Sequence, residues 1–275
     1  MSRVREKAVS AQNHFPEELR IAEKAARKAG SILMALYGKD YRVEEKGKGN
    51  PVTTADLEAN VKIREIILGC YPRDGWLSEE DEDNLDRLVA SRVWVVDPMD
   101  GTKEFIQGIP QFAVSIALVM EGRPVLGVVY DPTEGKLFRA VRDQGATLND
   151  RPIRVSARED LQGALLLVSR SEPRRKFQPF ADLCRLEPVG SIAHRLALVA
   201  GGEGDGTLTL RSVHEWDVCA GELIVEEAGG VVWDGGGHAL VFNQRDTLRR
   251  GIVASNTILS QRLQGLVAEI LFGRR

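Results

Sequence analysis

The apolar positions of this chain change period along its length, and each change marks an element. From Glu17 to Tyr37, Ala22, Ala25, Ala29, Ile32 and Leu36 recur at spacings of three and four, the period of a helix with one buried face. Gly38 is a natural stop. A second helix is predicted after Asp56, with Ala59, Ile63, Ile66 and Cys70 on one face and Pro72 just beyond its end. Val93-Trp94-Val95-Val96 has the β-branched and aromatic content of a buried strand. Residues 112–120, 124–130 and 136–141 read as further strands, joined by turns at Glu121-Gly122 and Thr133-Glu134-Gly135.

After about residue 160 short apolar runs alternate with helical ones. Strand Ala164–Val168 precedes a helix over Ile192–Ala200, and strand Thr207–Leu210 precedes a helix from Asp217 to Ala228. Short strands at Val231–Trp233 and Ile252–Ala254 lead to a final helix from about Ile258 to Leu271. The pattern predicts an antiparallel α+β part over residues 1–160 and an α/β part over residues 161–275. Gly201-Gly202-Glu203-Gly204-Asp205-Gly206 lacks the following Lys-Ser/Thr of a P-loop and reads as a helix-stop loop.

Composition narrows the class. Apolar residues at 43% and charged residues at 28% are ordinary for a globular protein of 275 residues. A net charge of −3 offers no electrostatic footprint for nucleic acid. No apolar run is long enough to span a bilayer, and Met1 to Glu18 lacks the apolar region of a secretory signal. Cys70, Cys184 and Cys219 are scattered, form no Cys-x-x-Cys, and suggest buried thiols in a reducing cytoplasm. His14, His194, His214 and His238 show no metal-ligand spacing.

The candidate chemistry lies in Asp97-Pro98-Met99-Asp100-Gly101-Thr102. Asp97 ends the apolar strand, so two carboxylates three residues apart leave a strand end around a proline turn. Gly101-Thr102 then open a short segment whose free N–H groups suit an anion. Paired carboxylates beside an anion nest suggest magnesium and phosphate. Its companions are Pro51-Val52-Thr53-Thr54-Ala55-Asp56, Ser78-Glu79-Glu80, and Trp216-Asp217 closing at Gly229-Gly230. Each has a bland alternative. Asp56 and Asp217 are favoured helix caps, and the acidic run through Asp81, Glu82 and Asp83 is by default a solvated loop. That run also lacks the central Gly and terminal Glu of an EF-hand.

Taken together, in this order, these motifs resemble those of the inositol monophosphatase superfamily of metal-dependent, lithium-sensitive phosphatases, from about residue 20 to the C-terminus. The resemblance implies a layered α-β-α-β-α sandwich of the inositol monophosphatase/fructose bisphosphatase type, and a homodimer. It implies two or three Mg²⁺ ions. Glu79, Asp97 and the Met99 carbonyl would hold the first, and Asp97, Asp100 and Asp217 the second. Thr102 and Asp56 would orient and deprotonate the attacking water, while the N–H groups of Gly101 and Thr102 cradle the phosphate. Ser191, His194 and Glu215 are the further candidates for substrate contact.

Within the superfamily, Gly101-Thr102-Lys103-Glu104-Phe105, Ser78-Glu79-Glu80, Ser169-Arg170-Ser171 and Glu215-Trp216-Asp217 resemble the CysQ-type 3′(2′),5′-bisphosphate nucleotidase branch. That branch converts 3′-phosphoadenosine 5′-phosphate to AMP. Two positions depart from it: Glu172 replaces a histidine, and His194 replaces the lysine of Gly-Ser-x-x-Lys. Both weaken the expectation of a second substrate phosphate. Phe105-Ile106-Gln107-Gly108-Ile109-Pro110 is equally similar to inositol monophosphatases, which keeps inositol 1-phosphate open. Histidinol phosphate, fructose bisphosphate and broad specificity stay behind these. A catalytically silent regulatory homologue would show eroded metal ligands, and none of Glu79, Asp97, Asp100, Thr102 or Asp217 is missing.

Overall fold

The computed structural model describes residues 15–47 and 49–273, so His14 and its metal-ligand reading lie outside the described residues. The chain opens with α1 (Pro16–Leu36), β1 (Val43–Gly47) and β2 (Asn50–Thr53), then α2 (Thr54–Cys70) and β3 (Gly75–Ser78). β4 (Val93–Asp100) runs into the short α3 (Thr102–Ile106). A meander follows: β5 (Ala113–Met120), β6 (Arg123–Asp131), β7 (Lys136–Val141), β8 (Ala146–Leu148) and β9 (Arg151–Pro152). The second half holds β10 (Leu165–Ser169), α4 (Gln178–Ala181), β11 (Arg185–Val189), α5 (Ile192–Ala200) and β12 (Gly206–His214). It ends with α6 (Glu215–Glu227), β13 (Gly230–Asp234), β14 (Leu248–Asn256) and α7 (Thr257–Phe272).

Strands β3 to β9 form a seven-stranded sheet in chain order, and a five-stranded sheet has the order β11-β10-β12-β14-β13. Alternation along the central strands decides which face meets what. Trp94, Val96, Val114, Ile116, Leu118, Leu126 and Val128 pack against Ala25, Ala29 and Leu33 of α1 and Ala59 and Ile63 of α2. The opposite set, Val93, Val95, Ala117, Val119 and Val129, faces Leu196 of α5 and Leu223 and Ile224 of α6. Ile252 and Ala254 of the smaller sheet join that same cluster, so α5 and α6 are sandwiched between the sheets. Leu166, Leu208 and Val253 on the outer face pack on Phe180 and on Leu259 and Leu263 of α7. The result is the layered α-β-α-β-α sandwich. The contact of α6 with β6 is close enough that a Cβ at Gly127 would sit 2.8 Å from the Ala220 carbonyl oxygen.

Several boundaries differ from the sequence pattern. α2 begins at Thr54, so Asp56 lies inside its first turn rather than before it. Ile67 is buried, Ile66 only half-buried, and Cys70 is exposed, which corrects the expectation of three buried thiols. α6 begins at Glu215 and places Asp217 third. β1, β2, β3, β8, β9 and β11 carry no apolar alternation strong enough to predict; β1 is exposed at every position and exists only by pairing with β2. No helix among the described residues is long and apolar enough to cross a membrane.

Candidate active site

β3 and β4 run parallel and release their carboxylates at the same sheet end. The Glu79 N–H donates to the Val96 carbonyl at 3.2 Å. Between Asp97 and Asp100 the pairing of β4 with β5 shifts register, and the Met99 N–H turns back to donate to Asp97 Oδ1 at 2.9 Å. Asp97 Oδ2 is buried with no hydrogen-bond partner among the described residues. Asp217 arrives from the other sheet on α6, where its Oδ2 accepts the His214 N–H at 2.7 Å. Glu79, Asp97 and Asp217 thus each present a carboxylate oxygen, all within 4.8 Å of one another.

Without a cation these groups repel. Burial, then Glu79, Asp100, Asp217 and Glu80, lift Asp97 well above the usual carboxylate range. Burial, then Asp100 and Glu79, do the same to Asp217. Hard oxygen donors, excess negative charge and an unpartnered buried oxygen fit a divalent cation such as Mg²⁺. Lys46, reaching over from β1, pairs with Glu79 at 2.8 Å and Glu80 at 2.7 Å. Burial pushes Glu80 up to about 7 despite that lysine.

Asp56 both caps its helix and reaches the site. Its Oδ2 accepts the Thr53 N–H at 2.7 Å and the Thr53 hydroxyl at 2.6 Å, closing a capping box. Its Oδ1 accepts the Thr102 hydroxyl at 2.9 Å. Burial pushes Asp56 up to about 6, against the hydrogen bonds from Thr53 and Thr102. Thr102 is the first residue of α3, preceded by Gly101 at φ 107°, where a Cβ would lie 2.8 Å from the Gln111 carbonyl oxygen. Five residues are too few to hold a helix by propensity. Phe105, 1% exposed, anchors it by packing on Tyr37, Tyr41 and Phe112, a burial worth about 2–3 kcal/mol.

Asp100 lies apart from the closest carboxylate trio. Its Oδ2 accepts the Ser191 hydroxyl and the Ala193 N–H, both at 2.7 Å, and so ties β4 to the start of α5. Ser191, at φ 54°, also accepts the His194 N–H and lines the cleft. The cleft holds about 360 Å³ and is also lined by Glu79, Met99, Gly101, Thr102 and Asp217. Two candidates for substrate contact are not brought there. His194 is buried with Nε2 3.6 Å from Asp131 and does not line the cleft, whereas Ser191 and Arg195 do. Glu215 is fully buried and accepts the N–H groups of Asn243 and Gln244 at 2.7 and 3.0 Å, with Arg249 beside it. These two are structural partners rather than cleft residues.

The cleft contains cations that motif reading missed: Lys46, Arg195 and Arg211. Arg195 is buried, donates to Thr207 Oγ1 and the Leu208 carbonyl at 3.0 Å each, and burial lowers it to about 10. Gln111 was missed as well; its Oε1 accepts the Gly190 N–H at 2.9 Å and Arg170 Nε at 3.1 Å, bracing the rim. Ser169-Arg170-Ser171, Lys103 and Ser191 were the sequence signals for this wall.

The chain belongs to the inositol monophosphatase family, whose model matches residues 16–272. It is 39% identical over 232 residues to the Nus factor SuhB of Escherichia coli K12, covering 80% of this chain and 86% of that protein. It is 38% identical over 237 residues to the inositol-1-monophosphatase of a Synechocystis strain, covering 82% of each. Among solved structures it superposes on an inositol monophosphatase from Thermotoga maritima with a TM-score of 0.84 and 30% identity, covering 93% of this chain and 98% of that one. It matches the SuhB protein of Bartonella henselae with a TM-score of 0.81 and 34% identity, over 91% of this chain and 98% of that one.

Proposed function

We propose that the protein is a Mg²⁺-dependent phosphate monoester hydrolase. The observation that carries this is the convergence of Glu79, Asp97 and Asp217, with an unpartnered buried oxygen on Asp97, next to the hydrogen-bonded pair Thr102–Asp56. Glu79, Asp97 and Asp217 would hold one cation. Asp100, whose Oδ2 is taken by Ser191 and Ala193, has Oδ1 left to offer toward a second. Mg²⁺ bound there would supply charge for the phosphate oxygens and acidify water.

The chain's own residues would do the rest. Thr102 Oγ1 donates to Asp56, so its lone pairs are turned outward to receive a water proton while Asp56 takes the hydroxyl's own. A carboxyl near 6 is closer to neutral pH than an ordinary one, which favours the proton-accepting role. The N–H groups at the start of α3 have no helical partner and lie beside the cluster, placed to bind phosphate oxygens.

For substrate, Lys103, Arg195 and Arg211 in the cleft favour a second anionic group, as in 3′-phosphoadenosine 5′-phosphate. The second reading is inositol 1-phosphate, favoured by the 38% identity to an inositol-1-monophosphatase. Phosphate release from both esters, with and without Mg²⁺, decides. Release from neither, nor from an aryl phosphate, would end the hydrolase reading.

A further inference from the structure

Along β12 the pairing with β14 slips. Thr209 faces Ile252 and Ser212 faces Arg250, so Leu210 and Arg211 share one position of the partner strand. Such a bulge takes backbone groups out of the ladder and re-aims the side chains on it. β10 cannot compensate, because its pairing with β12 ends at Val168 and Leu208. The Leu210 N–H is met by a side chain instead. Both carboxylate oxygens of Glu172 accept it, at 3.1 and 3.3 Å, and Oε1 also accepts the Thr209 hydroxyl at 2.5 Å. Lys176 Nζ lies 3.7 Å from the other oxygen. Glu172 is 6% exposed and Thr209 is fully buried, so water does not replace these bonds.

What the bond joins matters more than the bond. Glu172 follows Ser169 and Ser171, and Leu210 precedes Arg211, Ser212 and His214; these cleft-lining residues continue from the neighbouring strands β10 and β12. Glu172 itself does not line the cleft. We propose that Glu172 is a positioning residue that staples these two neighbouring segments beyond the end of their strand pairing, fixing the bulge and with it the aim of Arg211 into the cleft. It thereby sets substrate affinity without touching substrate or cation. This rests on the hydrolase reading above.

The test compares Glu172→Ala, Glu172→Gln and Thr209→Val with wild type at saturating Mg²⁺. Substrates are p-nitrophenyl phosphate and whichever of 3′-phosphoadenosine 5′-phosphate and inositol 1-phosphate wild type turns over. In Glu172→Ala, KM for the metabolite should rise about tenfold or more, the size of one lost charge-assisted hydrogen bond. kcat, the half-maximal Mg²⁺ concentration and KM for the small aryl ester should hold. Gln, which keeps one acceptor, should recover part of the loss; Thr209→Val should shift KM the same way by less, and serves if Glu172→Ala does not fold. Amide hydrogen exchange should accelerate over residues 209–214 and stay unchanged over 75–102. Equal loss of kcat on both esters, a shifted Mg²⁺ requirement, or unchanged exchange at 209–214 would overturn the staple. If wild type hydrolyses no ester, the hydrolase reading fails separately and the exchange result alone decides the staple.

Discussion

The two walls of the cleft are built on different principles. The acidic wall comes from strand ends and helix starts: Glu79 after β3, Asp97 and Asp100 on β4, Thr102 opening α3 and Asp217 in the first turn of α6. Asp97 and Asp217 are placed by backbone geometry within a few residues of themselves, as Met99 donates to Asp97 and His214 to Asp217; Asp100 is the exception, held by Ser191 and Ala193 of the opposite half. The cationic wall, with Arg195 and Arg211, is held by contacts between distant segments: Arg195 to Thr207 and Leu208, Glu172 to Leu210, Gln111 to Gly190. The proposed function assigns chemistry to the acidic wall and substrate choice to the cationic one. A family can therefore keep one reaction while changing what it acts on.

The comparison breaks most sharply at Asp97. Asp97→Asn removes the carboxylate that faces both Glu79 and Asp217, and loss of even ~4 kcal/mol of transition-state stabilisation slows turnover about a thousandfold. Near wild-type kcat at saturating Mg²⁺ would remove the acidic wall from the mechanism. Thr102→Val keeps the volume of the side chain but deletes the donor to Asp56. kcat should fall about a hundredfold, the size of lost general-base positioning, with the Mg²⁺ titration midpoint unmoved. A shifted midpoint with intact saturated kcat would make Thr102 only the opening residue of α3.

This asymmetry also explains what the sequence revealed. Helices α1, α5 and α7, strands β5 to β7 and the acidic motifs were legible because periodicity and turn chemistry act within a dozen residues. The β1–β2 hairpin was not: Glu44, Glu45 and Lys46 alternate nothing apolar, and only the fold shows Lys46 meeting Glu79 and Glu80. Glu172 read as a departure from a motif, yet it is buried against a bulge nearly 40 residues downstream, at Leu210. His194 and Glu215 lay beside true cleft residues in sequence, but helical geometry turns one toward Asp131 and the other toward Asn243. Neighbourhood in sequence tells nothing about which face of a helix looks into a cleft.

A smaller effect is expected on the cationic wall. Arg211→Ala leaves the carboxylates in place, so kcat and the Mg²⁺ requirement should change little. KM for 3′-phosphoadenosine 5′-phosphate should rise about tenfold, equivalent to ~1.4 kcal/mol, and KM for inositol 1-phosphate by less. Equal KM changes on both esters would mean that Arg211 does not read a second anionic group.

The smallest effect is on stability, and the Asp97 and Asp217 variants separate in it the acidic wall from Glu222, which burial outside the cleft pushes up to about 8. A carboxyl whose folded pKa exceeds its unfolded one binds more protons when folded, so its contribution is greatest below the unfolded value and is lost as pH rises through the folded one. Burial places Asp56 at about 6 and Glu80 at about 7, and Asp97 and Asp217 are raised as well. Metal-free protein should therefore melt higher at pH 6.5 than at pH 8, by about 2–4 °C for each kcal/mol involved. Below that window His194 and His214, both lowered by burial, begin to work the other way. Mg²⁺ binds the ionised carboxylates, so its stabilising effect should grow from pH 6.5 to 8. Asp97→Asn and Asp217→Asn should flatten the metal-free pH dependence and raise the melting temperature at pH 8. Scanning calorimetry of the three proteins with and without Mg²⁺ measures all of this. A wild-type melting temperature that stays flat or climbs from pH 6.5 to 8 without metal would show that Lys46 and the surrounding donors already neutralise the cluster, and that it is not held apart by its own charge.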